Sequence, residues 1–354
     1  MKKILLILVG GTICTSLGDD GTLSVNDAAS AKLSENFKKS DSEFADKVEF
    51  DITENLYILS ENLTVSKWNR MLDTYRKYIK KDKYDGVIFA HGTDTLAYSA
   101  ALFSQILAGT HIPVFFVAAQ ARLDVPRTNG NANFRTAVEC ICRGIAPNIY
   151  VAYKNPSDGR MLLHIASRLE QCDNYTEDLH SKGAIDITNI DNYKLAEISR
   201  AFPVEKVNVM IDKDKLVLKD SIMVITPYVG INYGVYDYSR FDAILHGTYH
   251  SGTACVEESN SHYSILYMID KCSSLGVDSY FAPSKDFGEI YETISEISKF
   301  EPKGGKKVGF LYGMTDEAAY AKLLVAYSYF DNEERRKEFI HTECNFEYFD
   351  KQVI

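Results

Sequence analysis

Two short turns combine glycine with a hydroxyl-bearing side chain, and both follow apolar runs. Residues 10–13 read Gly-Gly-Thr-Ile, and residues 91–95 read His-Gly-Thr-Asp-Thr. A hydroxyl nucleophile needs a base and a pocket of N–H donors for the developing oxyanion, and two glycine turns can supply those donors. The sequence therefore predicts a site in which Thr12 and Thr93 face each other across a small ligand.

Each turn also has a purely structural interpretation. The first can be a tight turn at the end of a strand, and Thr93 or Asp94 can cap a helix that begins near Thr95. The same helix start offers unpaired N–H groups and positive potential, which suit a substrate carboxylate. The first turn lacks the Gly-x-Gly-x-x-Gly pattern, so a dinucleotide site has little support.

The elements that would position these turns alternate between strand and helix. Helical spacing of apolar residues predicts helices over 65–78 and 95–107. Short apolar runs predict buried strands at 4–9, 86–90, 113–118, 149–152, 221–226, 243–245 and 308–311. The alternation predicts a doubly wound, mostly parallel α/β sheet in a larger N-terminal domain, followed by a smaller α/β C-terminal domain.

A change in the sequence pattern suggests where one domain ends. The stretch 188–220 is charged, has weak periodicity and precedes a new set of strands. We predict an N-terminal catalytic domain over 1–200, a linker over 201–220 and a C-terminal domain over 221–354 with a closing helix over 316–330. Residues 241–248 repeat the pattern of 84–93, including a second His-Gly-Thr, which two similarly built halves would explain.

The composition narrows the classes of partner and location. The 354 residues carry 39 Lys and Arg against 49 Asp and Glu, a net charge of −10, so a nucleic acid partner is not expected. The seven cysteines do not form the dense even framework of a secreted domain, which favours a cytoplasmic protein. The first apolar run is too short for a signal peptide, and no run reaches the length of a spanning helix, so no membrane partner is expected.

Taken together, the motifs resemble one family, the bacterial-type L-asparaginases, and within it the cytoplasmic type I group. The resemblance lies in residues 10–13 and 91–95 and in Ser-Glu-Asn-Leu-Thr at 60–64. Gln120 with the stretch 127–133 fits the next strand and loop of the family, and residues 313–319 resemble the closing helix of its small domain.

The resemblance implies hydrolysis of the side-chain amide of L-asparagine to L-aspartate and ammonia, with no cofactor and no metal. Thr12 would be the nucleophile, and Thr93 and Asp94 would form the second catalytic group, with Asp94 also meeting the substrate amino group. Ser60 would hold the α-carboxylate, and Glu61 would add negative charge near the amino end. The other residues implied in substrate binding are Gly11, Gly92, Ala119 and Gln120.

One catalytic residue of the family is replaced here. Relatives use a lysine, in a small-Thr-Lys motif, to activate the attacking group, and the best-fitting stretch here is Ala-Ser-Arg at 166–168. Arg168 completes the predicted catalytic set, although a guanidinium stays protonated and is a poor proton acceptor. Lys154 lies upstream as an alternative. A flexible loop over the site would correspond to 14–25, which lacks the tyrosine that many relatives place there.

These residues are compatible with three functions. The first is an amidohydrolase acting on L-asparagine, with L-glutamine as a second substrate because one methylene is worth only about 1–3 kcal/mol of discrimination. The second is a weakly catalytic or non-catalytic amino-acid-binding homologue that lacks the lysine. The third is an ammonia-donating subunit of an amidotransferase. The resemblance also implies a homodimer or homotetramer.

Overall fold

The computed structural model describes residues 1–17, 21, 23–25, 27–80, 83–284 and 291–349. The chain divides into two compact units. The first unit comprises Met1–Lys215 with Cys344–Phe346, and the second begins at Leu216, runs to Glu343 and resumes at Glu347. The domain bounds of 1–200, 201–220 and 221–354 stay a prediction.

The first unit alternates strands and helices along most of its length. Its strands are β1 (Lys2–Leu8), β2 (Thr15–Leu17), β3 (Leu23–Val25), β4 (Val48–Ile52), β5 (Gly86–Ala90), β6 (Val114–Val117), β7 (Ile149–Lys154), β8 (Met161–Ile165) and β9 (Ile185–Asp186). Its α-helices are α1 (Asp27–Lys38), α2 (Val65–Ile79), α3 (Leu96–Ile106), α4 (Gly130–Cys142) and α5 (Asn192–Ala201).

Seven of these strands form one sheet in the order β4-β1-β5-β6-β7-β8-β9. The strands from β4 to β7 are parallel to their neighbours, whereas β8 and β9 are each antiparallel to the strand before them. The predicted doubly wound, mostly parallel sheet is confirmed. β2 and β3 form a separate antiparallel hairpin. Of the predicted flexible loop over 14–25, Gly18, Asp19, Asp20 and Thr22 lie outside the described residues.

The middle of this sheet is apolar on both faces. All five residues of β5 are buried, and Phe89 on β5 stacks on Phe116 of β6 with ring centroids 4.6 Å apart. Leu8 of β1 is in register with Ala90 of β5. Because parallel strands in register end at the same edge, the turns that follow β1 and β5 begin side by side.

The helices that flank this edge differ in how they pack. α2 buries one face through Val65, Trp68, Met71, Leu72 and Tyr75, as its spacing predicts. α3 was expected to be one-sided, but ten of its eleven residues are buried. The segment 344–346 returns to this unit and contributes to this burial, since the Asn345 amide donates to Ser104 Oγ at 3.0 Å.

The second unit holds a four-stranded parallel sheet in the order β10-β11-β12-β13. Its elements are β10 (Ile222–Ile225), β11 (Ala243–His246), α6 (Ile265–Ser274), β12 (Asp278–Ser284), α7 (Glu292–Lys299), β13 (Gly309–Tyr312), α8 (Asp316–Tyr329) and α9 (Glu333–His341). The strands predicted near 222, 244 and 310 and the predicted helix over 316–330 are confirmed. Within the described ranges, no helix combines the length and apolar character needed to cross a membrane.

Candidate functional site

The site lies where the order of strands in the first sheet reverses. From β1 the chain crosses to β4 on one side, and from β5 it crosses to β6 on the other. The two connections therefore diverge and leave a crevice outside the carboxyl ends of β1 and β5, which is where ligands bind in open α/β sheets. Both glycine turns begin at this crevice.

The turn after β1 depends on two glycines in unusual backbone conformations. Gly10 has φ of 137° and Gly11 has φ of 73°. A Cβ on Gly10 would collide with the backbone of Ile58, and a Cβ on Gly11 would collide with the backbone of Gly92. The missing side chains therefore let the two turns touch, and Thr12 follows directly at the start of a short 3₁₀ helix.

The turn after β5 is held by buried His91. Its Nδ1 lies 2.7 Å from the carbonyl oxygen of Gly92, which can only accept, so Nδ1 carries the proton. Nε2 then accepts from Ser99 Oγ at 2.9 Å, and Ser99 Oγ accepts from Trp68 Nε1 at 2.8 Å. Burial lowers the pKa of His91 to about 4. The imidazole is therefore neutral at pH 7 and positions Gly92 without adding charge to the site.

The polar side chains of the second turn bond across the crevice and leave the helix uncapped. Ser60 Oγ donates to Asp94 Oδ2 at 3.0 Å, and Thr93 Oγ1 donates to the carbonyl oxygen of Ala119 at 3.3 Å. α3 has Thr95 as its N-cap residue, with no hydrogen bond from a capping side chain. The alternative in which Thr93 or Asp94 caps the helix is therefore not realised.

These turns open into a cavity of about 1030 Å³. Eight of the residues expected at the site line this cavity: Gly11, Thr12, Ser60, Glu61, Thr93, Asp94, Ala119 and Gln120. Gly92 lies behind Ser60, because a Cβ on Gly92 would be 2.5 Å from Ser60 Oγ. The fold therefore brings the expected residues together from four separate loops.

Gln120 contacts the cavity, but its amide is used elsewhere. Nε2 donates to the carbonyl oxygen of Arg127 at 2.6 Å, and Oε1 accepts from the backbone N–H of Asn129 at 2.9 Å. The side chain therefore fixes the loop that leads into α4. This arrangement makes Gln120 a positioning residue for the wall of the cavity.

The structure corrects the placement of Arg168. β8 is antiparallel to β7, with Met161 opposite Lys154 and Ile165 opposite Tyr150. The chain thus enters β8 at the cavity edge of the sheet and leaves it at the other edge, where Arg168 follows. There the Arg168 Nε donates to the carbonyl oxygen of Phe346, and its guanidinium lies 5.8 Å from the ring centroid of Phe202. Arg168 does not belong to the group around Thr93 and Asp94.

A family model described as Asparaginase, N-terminal, matches residues 3–195. The chain belongs to the asparaginase family. Curated relatives include a glutamyl-tRNA(Gln) amidotransferase subunit of Halobacterium salinarum, 31% identical over 145 residues that make up 41% of this chain and 34% of the relative. An L-asparaginase of Thermococcus kodakarensis is 38% identical over 72 residues, 20% of this chain and 22% of the relative. The chain thus spans about a third of the amidotransferase relative.

Solved asparaginases share the fold over nearly the whole chain. The thermostable L-asparaginase from Thermococcus kodakarensis has a TM-score of 0.69 at 17% identity and covers 98% of this chain and 99% of its own. L-asparaginase I from Vibrio cholerae has the same TM-score at 21% identity and the same coverage. At these identities the likeness concerns the fold.

One wall of the cavity in this asparaginase-family chain was missed by the sequence analysis. The segment 171–177 contributes Gln171, Cys172, Asp173, Asn174 and Glu177. It has no apolar periodicity and no motif that could have indicated a role. Only its tertiary contacts place it here.

Short-range hydrogen bonds shape this wall. Asp173 accepts from the N–H of Tyr175 at 3.0 Å and from Thr176 Oγ1 at 2.9 Å, and these bonds lower the pKa of Asp173. The Tyr153 hydroxyl at the end of β7 donates to the carbonyl oxygen of Glu177 at 3.0 Å. The wall is thereby tied to the cavity edge of the main sheet.

Proposed function

We propose that this chain hydrolyses the side-chain amide of L-asparagine to L-aspartate and ammonia, with Thr12 as nucleophile and L-glutamine as a second substrate. One observation carries the proposal: Gly11 and Gly92 are packed backbone to backbone, so Thr12 and Thr93 open onto one cavity beside the Ser60–Asp94 pair. Membership of the asparaginase family supports amide hydrolysis in general.

In the proposed reaction, Thr12 Oγ1 attacks the amide carbon, the C–N bond breaks, and ammonia leaves with the proton that Thr12 gave up. Water then attacks the resulting aspartyl ester and restores the Thr12 hydroxyl. Ser60 holds the carboxyl end of the substrate, and Asp94 and Glu61 attract its ammonium group. Thr93 belongs to the second catalytic group, in which it forms a hydrogen bond.

The proton acceptor in this scheme differs from that of the family. Among the cavity-lining residues that the structure describes, none is a lysine or an arginine. The basic groups among the described lining residues are carboxylates, and Asp94 directly follows Thr93 at the same cavity as Thr12. We therefore assign the role of base to Asp94, and we expect slower turnover than with a lysine in that role.

Ammonia release from L-asparagine tests the role of Thr12. We expect Thr12→Val to lower kcat by about three orders of magnitude or more, because the nucleophile is removed while the fold is retained. Thr74→Val is the matched control, since its hydroxyl bonds to the carbonyl oxygen of Arg70 on α2, outside the cavity. Equal rates for the two variants would contradict the assignment.

A second candidate function is binding without turnover. The described lining of the cavity contains no lysine and no arginine, which favours this candidate. Calorimetry with L-asparagine separates the two, because heat of binding without ammonia release indicates a binding protein.

The amidotransferase relatives add a third candidate, supply of ammonia to a second protein of an amidotransferase complex. We also propose a cytoplasmic homo-oligomer, as the resemblance implies.

A further inference from the structure

A chain of three hydrogen bonds connects α2 and α3 to the turn after β5. Trp68 Nε1 donates to Ser99 Oγ at 2.8 Å, and Ser99 Oγ lies 2.9 Å from His91 Nε2. On the other side of the ring, His91 Nδ1 lies 2.7 Å from the carbonyl oxygen of Gly92. All three side chains are buried, Ser99 completely so. The described lining of the cavity includes none of them.

The two ends of this chain fix the direction of every proton in it. An indole N–H can only donate, so the Ser99 oxygen accepts from Trp68 and directs its own proton to His91 Nε2. The Gly92 carbonyl can only accept, so Nδ1 of His91 is the donor there. All the donors therefore point from α2 toward Gly92, and hydrogen bonds aligned in this way strengthen one another.

The last of these bonds sets the orientation of the peptide group between Gly92 and Thr93. This peptide is trans. In a planar trans peptide the N–H points opposite to the carbonyl of the preceding residue. Since the Gly92 carbonyl is turned toward buried His91, the Thr93 N–H faces away from the imidazole. Thr93 lines the same cavity as Thr12. His91 therefore sets the direction of an N–H group at the edge of this cavity.

The second unit has a histidine with the same pair of bonds. His246 Nδ1 lies within hydrogen-bond distance of the carbonyl oxygen of Gly247. A hydroxyl again bonds to the other nitrogen, because Tyr233 Oη lies 2.8 Å from His246 Nε2. The two hydroxyls come from different residue types on different elements. A hydroxyl at Nε2 is therefore a recurring part of the turn, beyond the packing of α3 alone.

We propose that Ser99 is a positioning residue for the reaction, which holds His91 in the tautomer that directs the Thr93 N–H toward the oxyanion formed when Thr12 attacks. This inference rests on the proposed function. Ser99 acts through His91 and Gly92 and lies outside the described lining of the cavity. Since an oxyanion donor acts most strongly when negative charge develops, loss of its direction lowers kcat more than it weakens substrate binding.

Ser99→Ala tests the proposal against a matched control on the same helix. We expect it to lower kcat for ammonia release from L-asparagine by about tenfold or more, with KM changed by less than about threefold. Ser104→Ala is the control, because it also removes a buried hydroxyl of α3, one that accepts from the Asn345 amide. Its kcat should stay within about threefold of the wild type, although both variants lose a buried hydrogen bond.

A conservative variant and a spectroscopic signal separate positioning from a general loss of stability. Ser99→Thr keeps the hydroxyl and should restore most of kcat. Ser99→Cys keeps a weaker donor and should fall between serine and alanine. Trp68 is the single tryptophan, so its indole N–H gives one NMR resonance, which should move upfield in Ser99→Ala and stay in place in Ser104→Ala. Equal kcat for these two alanine variants, or an unmoved indole resonance in Ser99→Ala, would overturn the inference.

Calorimetry with L-asparagine separates a failure of this inference from a failure of the proposed function. If the wild type releases ammonia and the two alanine variants match it, only the positioning role is wrong. If the wild type releases none, the hydrolase proposal fails, and the role of Ser99 is decided by binding. The Thr93 N–H would then bind the amide oxygen of the ligand, so Ser99→Ala should weaken binding at least about twofold relative to Ser104→Ala. Equal affinities, or no binding, would reject it.

Discussion

Single glycines decide whether this site exists. Gly11 and Gly92 meet backbone to backbone, and any Cβ on Gly11 would enter the space of Gly92. Without that contact Thr12 would be an ordinary turn residue, because the turn after β1 would not lie against the turn after β5. The proposed site thus depends on Gly11, a residue that has no side chain.

We expect Gly11→Ala to lower both stability and ammonia release. The substitution combines a positive φ with a backbone collision, and each such strained position costs on the order of 1–3 kcal/mol. Gly159→Ala is the matched control, because Gly159 has φ of 72° with nothing within 4 Å of its added Cβ. The urea midpoint, followed by fluorescence of the single tryptophan, Trp68, should fall further for Gly11→Ala.

The difference between these two variants isolates the collision from the φ strain. Equal urea midpoints would show that the two turns can separate without cost, and the proposed geometry of the site would then be wrong. A lower urea midpoint together with loss of ammonia release, in Gly11→Ala and not in Gly159→Ala, would support the site.

At the scale of elements, the two sheets share one kind of hydrogen-bonded turn at the end of a buried strand. After β11, His246 Nδ1 lies 2.6 Å from the carbonyl oxygen of Gly247, and Thr248 Oγ1 donates to the carbonyl oxygen of Pro283 at 3.1 Å. The turn after β5 makes the same two kinds of bond. The sequence echo between 84–93 and 241–248 therefore reflects a shared local structure.

α8 illustrates how one helix anchors the end of the chain. Its Lys322 is completely buried and pairs with buried Glu347, and its Nζ also donates to the carbonyl oxygen of Thr342 at 2.6 Å. The ammonium group lies 5.0 Å from the ring centroid of Phe339. The attraction between the two charges compensates for the hydration that both lost on burial.

We expect Lys322→Met to destabilise the protein by about 3–5 kcal/mol, because Glu347 would be left buried without its partner. The double variant Lys322→Met/Glu347→Gln should recover part of this loss. Lys337→Met, which breaks an exposed pair with Glu333 on α9, should change stability by less than about 1 kcal/mol. Thermal unfolding by circular dichroism measures all three, and equal shifts for the two single variants would contradict the argument.

At the scale of the whole molecule, both units bury neutral histidines. Burial lowers the pKa of His91 and His246 to about 4 each and that of His164 to about 3, with His180 adding to the shift of His164. The unfolded chain binds these protons near pH 6.5, whereas the folded chain binds them only near pH 3–4. The folded state is therefore favoured above pH 6.5 and loses stability as the pH falls toward 4.

We expect the urea midpoint reported by Trp68 to decrease steadily from pH 6.5 to pH 4. His91 alone would account for about 3 kcal/mol of the total loss. His91→Gln should reduce this dependence on pH, although it also lowers stability at pH 7. His111→Gln, at an exposed position after α3, serves as control and should leave the dependence unchanged. A midpoint that stays constant over this range would refute the argument.

The sequence by itself determined what depends on neighbouring residues. Apolar runs predicted β1, β5, β6 and β7, the spacing of Trp68, Met71 and Tyr75 predicted α2, and the two glycine turns predicted the cavity residues Thr12 and Thr93. These features are local, because a pattern of period two or 3.6 and a glycine after a strand act within a few residues.

Only the tertiary structure decided the position of 171–177. The direction of β8 follows from spacing, because the six residues 155–160 between β7 and β8 are too few for a parallel crossover, and that direction moves Arg168 to the opposite edge of the sheet. The wall that carries Cys172, Asp173 and Glu177 depends on contacts such as that from Tyr153, made across 24 positions of the chain. The placement of such a loop is set by long-range packing, and a local pattern of residues does not encode it.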